Sequence, residues 1–338
     1  MLVILHFVHI LIYLLAIIFS CNLFTNAIEH LGANLKLNQN ATGSILAVIG
    51  TTLPETVVPI VAILSAIFLN CNIKSHEQIA QGAILGSPFM LSCLGLFLLG
   101  IVLTVKKRKN LDLNFNMVLR DYKYFLICYC FAIFAFFAPT REIKSFIALF
   151  LGILYVIFVY RTLIKCKNCT QQENLDPLIF SKMFAKFNIN NTFLIYLQII
   201  ISITCLIVFA HLFLHEIVWF SDVFKISPFI LSLIVTPFAT ELPECVNSII
   251  WLFEDKDELA FANVIGAVIF QSSFLAAIGI IITSWEINRM ILTNSLIVII
   301  SSLLFIGHYI IKGKITKCAL LCMGIFYFSF FIYTFLKF

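Results

Sequence analysis

The sequence predicts an all-α membrane protein with ten transmembrane helices arranged as two inverted five-helix repeats. Three observations carry this prediction. The 338 residues are 62% hydrophobic and 12% charged, and their mean hydropathy is +1.06; soluble domains average about 45–50% apolar and about 25% charged residues. The apolar residues fall into runs of about 20, the length an α-helix needs to cross hydrocarbon. One motif is written twice, as Ile49-Gly50-Thr51-Thr52-Leu53-Pro54-Glu55 and as Phe238-Ala239-Thr240-Glu241-Leu242-Pro243-Glu244, each copy inside an apolar stretch.

The first run, residues 2–22, has no basic n-region and reads as a retained helix, not a cleaved signal. The second, 42–69, follows the polar cluster Asn38-Gln39-Asn40 and holds the first motif copy. The third, 78–105, opens on Ala80–Gly86 and ends at the basic run Lys106–Lys109. The fourth and fifth, 122–139 and 145–163, are the shortest. A basic segment, 164–190, joins two units, 1–163 and 191–338. It contains Cys166 and Cys169, which lack the second pair of a zinc site and read as loop thiols. The other cysteines are scattered, mostly in apolar runs, as small hydrophobes. In the second unit the sixth run is 191–214, and the seventh, 227–253, holds the second motif copy. The acidic stretch Glu254–Glu258 closes it, and 258–284, 290–311 and 317–336 complete the set. Ala260–Gly266 aligns with Ala80–Gly86, extending the repeat.

Most of the 22 basic residues fall in alternate loops, at Lys36, Lys106–Lys123, Arg161–Lys186, Lys256 and Lys312–Lys317. Lys74, Arg141, Lys144, Lys225, Arg289 and Lys337 occupy the other side. The positive-inside bias makes the first set cytoplasmic and places both termini outside. The second and seventh helices then run in opposite senses, as an inverted repeat requires. The expected location is a cell (inner) membrane. The net charge of +5 reports loop orientation; no stretch has the aromatic-basic pattern of a nucleic-acid surface. The expected partners are inorganic cations and the lipid bilayer, with no nucleic acid and no cofactor. Oligomeric state is not readable.

Of 17 acidic residues, Glu55, Glu241 and Glu244 are expected well inside apolar runs, with no Lys or Arg at comparable depth. A carboxylate at bilayer depth is costly and marks a functional site; it must be paired, metal-bound or protonated. Here the partner is expected to be a transported cation or a proton. Pro54 and Pro243 lack an N–H and break the helix just before Glu55 and Glu244. The break frees carbonyls near Gly50–Thr51 and Ala239–Thr240, and Thr51, Thr52 and Thr240 add hydroxyls. Glu241 and Glu244, at i and i+3, share a face. Gly82, Gly86 and Gly266 read as helix-contact positions. His211 and His215, without a third ligand, read as polar packing. Asn294 and His308 read as interhelical or interface residues, and Trp219 and Trp285 as interface residues.

These residues resemble the calcium:cation antiporters, the sodium/calcium exchanger group. That family is marked by inverted repeats, each with a Gly-Thr-Ser-Leu-Pro-Glu type motif and then a Gly-Asn-x-x-Gly-Ser-Asn type motif. The counterparts here are Gly50–Glu55 with Gly82–Ser87, and Ala239–Glu244 with Ala262–Ala267. The resemblance implies that Glu55 and Glu244 are the central ligands, coordinating Ca²⁺ or alternately Na⁺. It implies that Thr51, Thr52, Thr240 and Ser87 supply further oxygens. Glu241 stands where a Ser is usual, Ala267 lacks the hydroxyl of Ser87, and Leu91 and Gln271 stand where Asn or Asp is common. Gln271 remains a candidate ligand. The expected function is alternating-access antiport of Ca²⁺ against Na⁺. Ca²⁺/H⁺ exchange is the alternative, because the extra glutamate can carry protons. A cation channel is a further class. An enzyme is not expected, since no nucleophile–base pair or His-Glu-x-x-His motif accompanies the glutamates.

Overall fold

The computed structural model describes residues 2–34, 52–68, 73–165, 177–184 and 190–336. The predicted positions Lys36, Asn38-Gln39-Asn40, Gly50, Thr51, Cys166 and Cys169 lie outside the described residues. The architecture is all-helical; among the described residues the β pairing is one isolated bridge, Asn110 to Thr316. In chain order the long helices are α1 (Leu2–Asn34), α2 (Leu53–Phe68), α3 (Ile73–Val105), α4 (Phe115–Phe134), α5 (Arg141–Lys165), α6 (Asn191–Phe224), α7 (Pro228–Thr240, resuming as Leu242–Phe253), α8 (Asp257–Ile282), α9 (Arg289–Lys312) and α10 (Lys317–Leu336). A one-turn helix, Ile179–Met183, precedes α6. Eight of these helices are long and apolar enough to cross a membrane. The described part of α2 is shorter, and α4 carries Arg120, Asp121 and Lys123.

Several boundaries differ from the sequence expectation. Helix α1 runs on to Asn34, because no proline or glycine interrupts it before Gly32. Helix α6 passes the expected end at 214 and stops at Lys225, whose φ of 57° is left-handed. The extension brings Glu216 inside the bundle at 5% exposure, so buried acidic residues are not confined to the three motif glutamates. Helix α4 starts earlier than 122 because Asn114 caps it, accepting from the Asn116 and Met117 amides. Trp285 is not an interface residue. It is fully buried, stacked on Phe136 at 4.7 Å, and donates from Nε1 to the Ala132 carbonyl at 3.1 Å.

Polar contacts give the relative directions of the helices. Near one end of the α1–α6 pair, His6 meets Glu216; near the other, Gln198 donates to the Leu23 carbonyl and to Asn26. These two helices are therefore antiparallel. Helix α3 runs parallel to the first half of α7. Ser232 donates to the Ile79 carbonyl at 2.8 Å, and further along Gly82 faces Phe229 and Leu233 while Gly86 faces Leu233 and Pro237. A Cβ on either glycine would collide with a backbone carbonyl, of Phe229 or of Leu233. Gly82 and Gly86 are thus close-packing positions, as small residues at membrane helix contacts generally are, whereas Gly266, expected to be a third, has nothing within 4 Å of where a Cβ would lie.

The loops sort to two ends of the bundle. At one end Lys106 pairs with Asp255 at 2.6 Å, Arg108 pairs with Asp257, and the Leu111 amide donates to the Ile315 carbonyl. The hydrogen bond from the Lys106 ammonium holds the Asp255 carboxyl below its ordinary range. At the other end Glu77 accepts from the Ser284 amide and hydroxyl, Arg141 donates to the Ile281 and Thr283 carbonyls, and Lys144 donates to those of Ser284 and Trp285. This grouping matches the two sides into which the basic residues divide. The main apolar core lies between, formed by α3, α4, α5, α7, α8, α9 and α10.

Candidate cation site

Helix breaks build the site. In α7 the helix stops at Thr240, Glu241 takes the bend, and the helix resumes at Leu242 with Pro243 in its first turn. Helix α2 starts at Leu53, with Pro54 in its first turn. Glu55 and Glu244 thus both occupy the first turn of a helical segment. Unpaired N–H groups and the positive end of the helix dipole favour an anion at that position. Pro59 follows Glu55 by one turn and has no N–H to offer, so it frees the Glu55 carbonyl from the helical ladder.

The side chains converge from α2, α3, α7 and α8. Glu55, Glu241 and Glu244 are 3%, 0% and 2% exposed. Gln271 of α8 is fully buried between two of them. Its Nε2 donates to Glu55 Oε2 at 2.5 Å and to Glu241 Oε2 at 2.8 Å. Thr240 Oγ1 donates to Glu241 Oε1 at 3.1 Å. The Ser87 hydroxyl, 3.2 Å from the Ala83 carbonyl, also faces Glu241. The carboxyls of Glu55 and Glu241 share the Gln271 amide and so lie close together, and Glu244 is near enough for its charge to act on Glu55. Thr52 is buried at the start of α2, where its carbonyl accepts from the Thr56 hydroxyl at 2.8 Å. Thr51 lies outside the described residues.

Of the sequence candidates, Glu55, Glu241, Gln271, Thr240 and Ser87 form one contact network, with Glu244 in electrostatic reach. Among the described residues, no Lys or Arg forms an ion pair with Glu55 or Glu241. Oε1 of Glu55 and Oε1 of Gln271 are buried with no hydrogen-bond partner among the described residues. Buried polar atoms are normally satisfied, so these two oxygens are available to a cation. All the donor atoms are hard oxygens, the set that suits Ca²⁺ and excludes metals needing nitrogen or sulfur.

Asn263 has a role that residue type alone did not announce. Its Nδ2 donates to the Glu244 carbonyl and to Ser248 Oγ, both at 3.0 Å, and so fixes the turn that carries Glu244. The available signal was its place in the second motif, opposite Ala83. A second feature missed is a π-helical turn in each of α3 and α8, at Leu91–Gly95 and Gln271–Leu275. The motif alignment that pairs Gly86 with Gly266 pairs Leu91 with Gln271, so the two π turns begin at matching positions. Such turns often sit at functional sites. The side histidine and asparagine pack as expected: His211 meets Ser65 of α2 at 2.9 Å, and Asn294 donates to the Leu85 carbonyl at 3.3 Å.

The sequence profile of the family described as "Sodium/calcium exchanger protein" matches residues 5–164 and 194–336. A putative antiporter CaxA from Alkalimonas amylolytica is 23% identical over 281 residues, covering 83% of this chain and 82% of its own. The inner membrane protein YrbG of Escherichia coli (strain K12) is 22% identical over 284 residues, covering 83% and 81%. Among solved structures, that of the H⁺/Ca²⁺ exchanger CAX superposes with a TM-score of 0.69 at 18% identity, covering 98% of this chain and 86% of that one. The sodium-calcium exchanger NCX_Mj, soaked with Na⁺ and Sr²⁺, gives 0.54 at 20% identity, covering 97% and 98%. The fold is that of multi-pass membrane exchangers.

Proposed function

The chain belongs to the sodium/calcium exchanger protein family, and from that premise we propose that it is a secondary active antiporter moving Ca²⁺ against a monovalent cation by alternating access. The observation that carries this reading is the buried cluster of Glu55, Glu241 and Gln271, with Glu244 beside it. Among the described residues no Lys or Arg pairs with Glu55 or Glu241, which is the arrangement a divalent ion completes. Thr51, Thr52, Thr240 and Ser87 are the accessory oxygen donors in this reading.

The architecture in this reading is ten transmembrane helices in two inverted units, 1–163 and 191–338, joined by 164–190. The antiparallel α1–α6 pair and the aligned π turns support it. The basic loops then face the cytoplasm and both termini lie outside. A binding site formed between repeats, from broken helices at the bilayer midplane, is how such transporters alternate access.

The counter-ion in this reading is H⁺. Two buried carboxyl groups side by side resist joint ionisation, so a proton or a cation must relieve them, and Glu55 and Glu241 lie side by side on the Gln271 amide. Na⁺, the counter-ion expected from sequence, is the second reading; the hydroxyls of Thr240 and Ser87 beside Glu241 favour it. Counter-flux in proteoliposomes separates them. Ca²⁺ uptake driven by an imposed pH gradient without Na⁺ supports H⁺ coupling, and uptake driven only by a Na⁺ gradient supports Na⁺ coupling. Ca²⁺ flux indifferent to both gradients describes a channel and would overturn the antiporter reading.

A further inference from the structure

A second set of ligand-type side chains lies apart from the motif glutamates, where the start of α1 meets the last third of α6. His6 and His9 are three residues apart on α1 and project from one face. Glu216 of α6 is buried against them, its Oε2 2.6 Å from His6 Nδ1 and its Oε1 3.3 Å from His9 Nδ1. One ligand atom from each residue lies within 4.8 Å of the other two. The ring planes are held from behind. His6 stacks on Trp219 with centroids 3.7 Å apart and planes at 17°, and His9 stacks on Tyr13 at 5.9 Å and 28°. Among the described residues, His6 and His9 are the ion-pair partners of Glu216, and no Lys or Arg joins them.

We propose that His6, His9 and Glu216 form a binding site for a transition-metal dication of the Zn²⁺ class, separate from the transport glutamates, which staples α1 to α6. Two imidazoles and one carboxylate are a donor set for Zn²⁺, Co²⁺ or Ni²⁺. Ca²⁺ seeks six to eight oxygens and gains little from this set, so the cargo ion does not compete. Ligand bonds of about 2.0–2.2 Å bring the three donor atoms to roughly 3.4 Å from one another. The His6–Glu216 and His9–Glu216 separations already lie near or below that value, so small side-chain shifts complete the geometry. The metal would neutralise a buried carboxylate with which no Lys or Arg pairs among the described residues. Without metal, the same atoms make an interhelical hydrogen bond, and the two roles are distinguishable.

The test uses the full-length purified protein with Cys130→Ser, Cys166→Ser, Cys169→Ser, Cys318→Ser and Cys322→Ser, which removes the thiols exposed among the described residues and the Cys166/Cys169 pair. Co²⁺ serves as the spectroscopic probe. The expected result is one Co²⁺ per chain with visible d–d bands, displaced by Zn²⁺ and not by excess Ca²⁺. His6→Gln and His9→Gln should each weaken binding at least about tenfold, as loss of one ligand in three demands. Glu55→Gln combined with Glu244→Gln should leave it unchanged. Absence of stoichiometric Co²⁺ binding, binding that survives both histidine substitutions, or binding lost with the two glutamates would each overturn the proposal. Glu216→Gln is the less informative variant, because its burial puts folding at risk; His9→Gln, at a part-exposed position, keeps the test decisive.

Discussion

Nε2 of Gln271 lies 2.5 Å from Oε2 of Glu55, across 216 positions of sequence. This contact ties α8 of one half to α2 of the other at the point where both motif copies converge. The same nitrogen reaches Glu241, so one neutral amide sits where two carboxyls would otherwise confront each other. An amide can bridge two acceptors without carrying charge, and it leaves the charge of the site for a cation to balance.

Glu55→Gln and Glu244→Gln should each reduce Ca²⁺ transport at least about 100-fold while leaving the protein folded. Each removes one formal charge from a divalent site with little change in volume. At an effective dielectric of about 20, one pair of unit charges at 4 Å is worth about 4 kcal/mol, more than a 100-fold effect requires. Uptake of ⁴⁵Ca²⁺ into proteoliposomes, with size-exclusion profiles as the folding control, measures it. Near-native uptake by either variant removes that glutamate from the central ligands.

Gln271→Leu writes the repeat partner's residue, Leu91, into the second copy. It takes the shared donor away from Glu55 and Glu241. Leaving a buried acceptor unsatisfied costs about 1–3 kcal/mol, so uptake should fall about tenfold or more. Gln271→Asn keeps the amide on a shorter arm and should recover part of the loss. Equal uptake by wild type and Gln271→Leu would assign Gln271 to packing alone.

The three motif glutamates were legible because charge inside a long apolar run has few explanations, and because proline and glutamate recur together. The bend at Glu241 follows from Pro243, which cannot complete the preceding turn. Gln271 was legible only as a departure from an expected Asn or Asp, since its partners come from helices remote in sequence. Glu216 escaped because the apolar pattern weakens at His215, which suggested a helix end. The helix in fact continues, its charge answered by two histidines on another helix. Trp285 escaped for a related reason: tryptophan prefers an interface unless its N–H finds a buried partner, and the Ala132 carbonyl that accepts it is not visible along the chain.

Gly86→Ala tests the contact between α3 and α7. Pro237 has no N–H to give to the Leu233 carbonyl, and that carbonyl lies against Gly86. A methyl group there would meet backbone, which cannot rotate away. Overpacking of this kind costs about 1–3 kcal/mol, so the thermal midpoint of the purified protein should fall by several degrees. Gly152→Ala on α5, where a Cβ meets nothing within 4 Å, should leave it unchanged. Equal midpoints for the two variants would show that α3 and α7 can separate without loss.

Glu241 is where the charge balance of the site is decided. Three carboxylates around one divalent ion leave a net charge of −1, and an uncompensated charge at this depth costs several kcal/mol. A proton or a monovalent cation must make up the difference. Because Glu241 is fully buried and shares the Gln271 amide with Glu55, burial and the neighbouring carboxyl let the pair hold a proton when Ca²⁺ is absent and release it when Ca²⁺ binds. Transport should therefore depend on pH: apparent Ca²⁺ affinity should weaken as pH falls and protons compete for the carboxyls. Glu241→Ser removes the third carboxylate and should flatten that dependence while making uptake more sensitive to Na⁺. The measurement is Ca²⁺ uptake against pH, with and without a Na⁺ gradient, for both proteins. Superimposable pH profiles would mean that Glu241 carries no proton in the cycle, and the H⁺-coupled reading would give way to the Na⁺-coupled one.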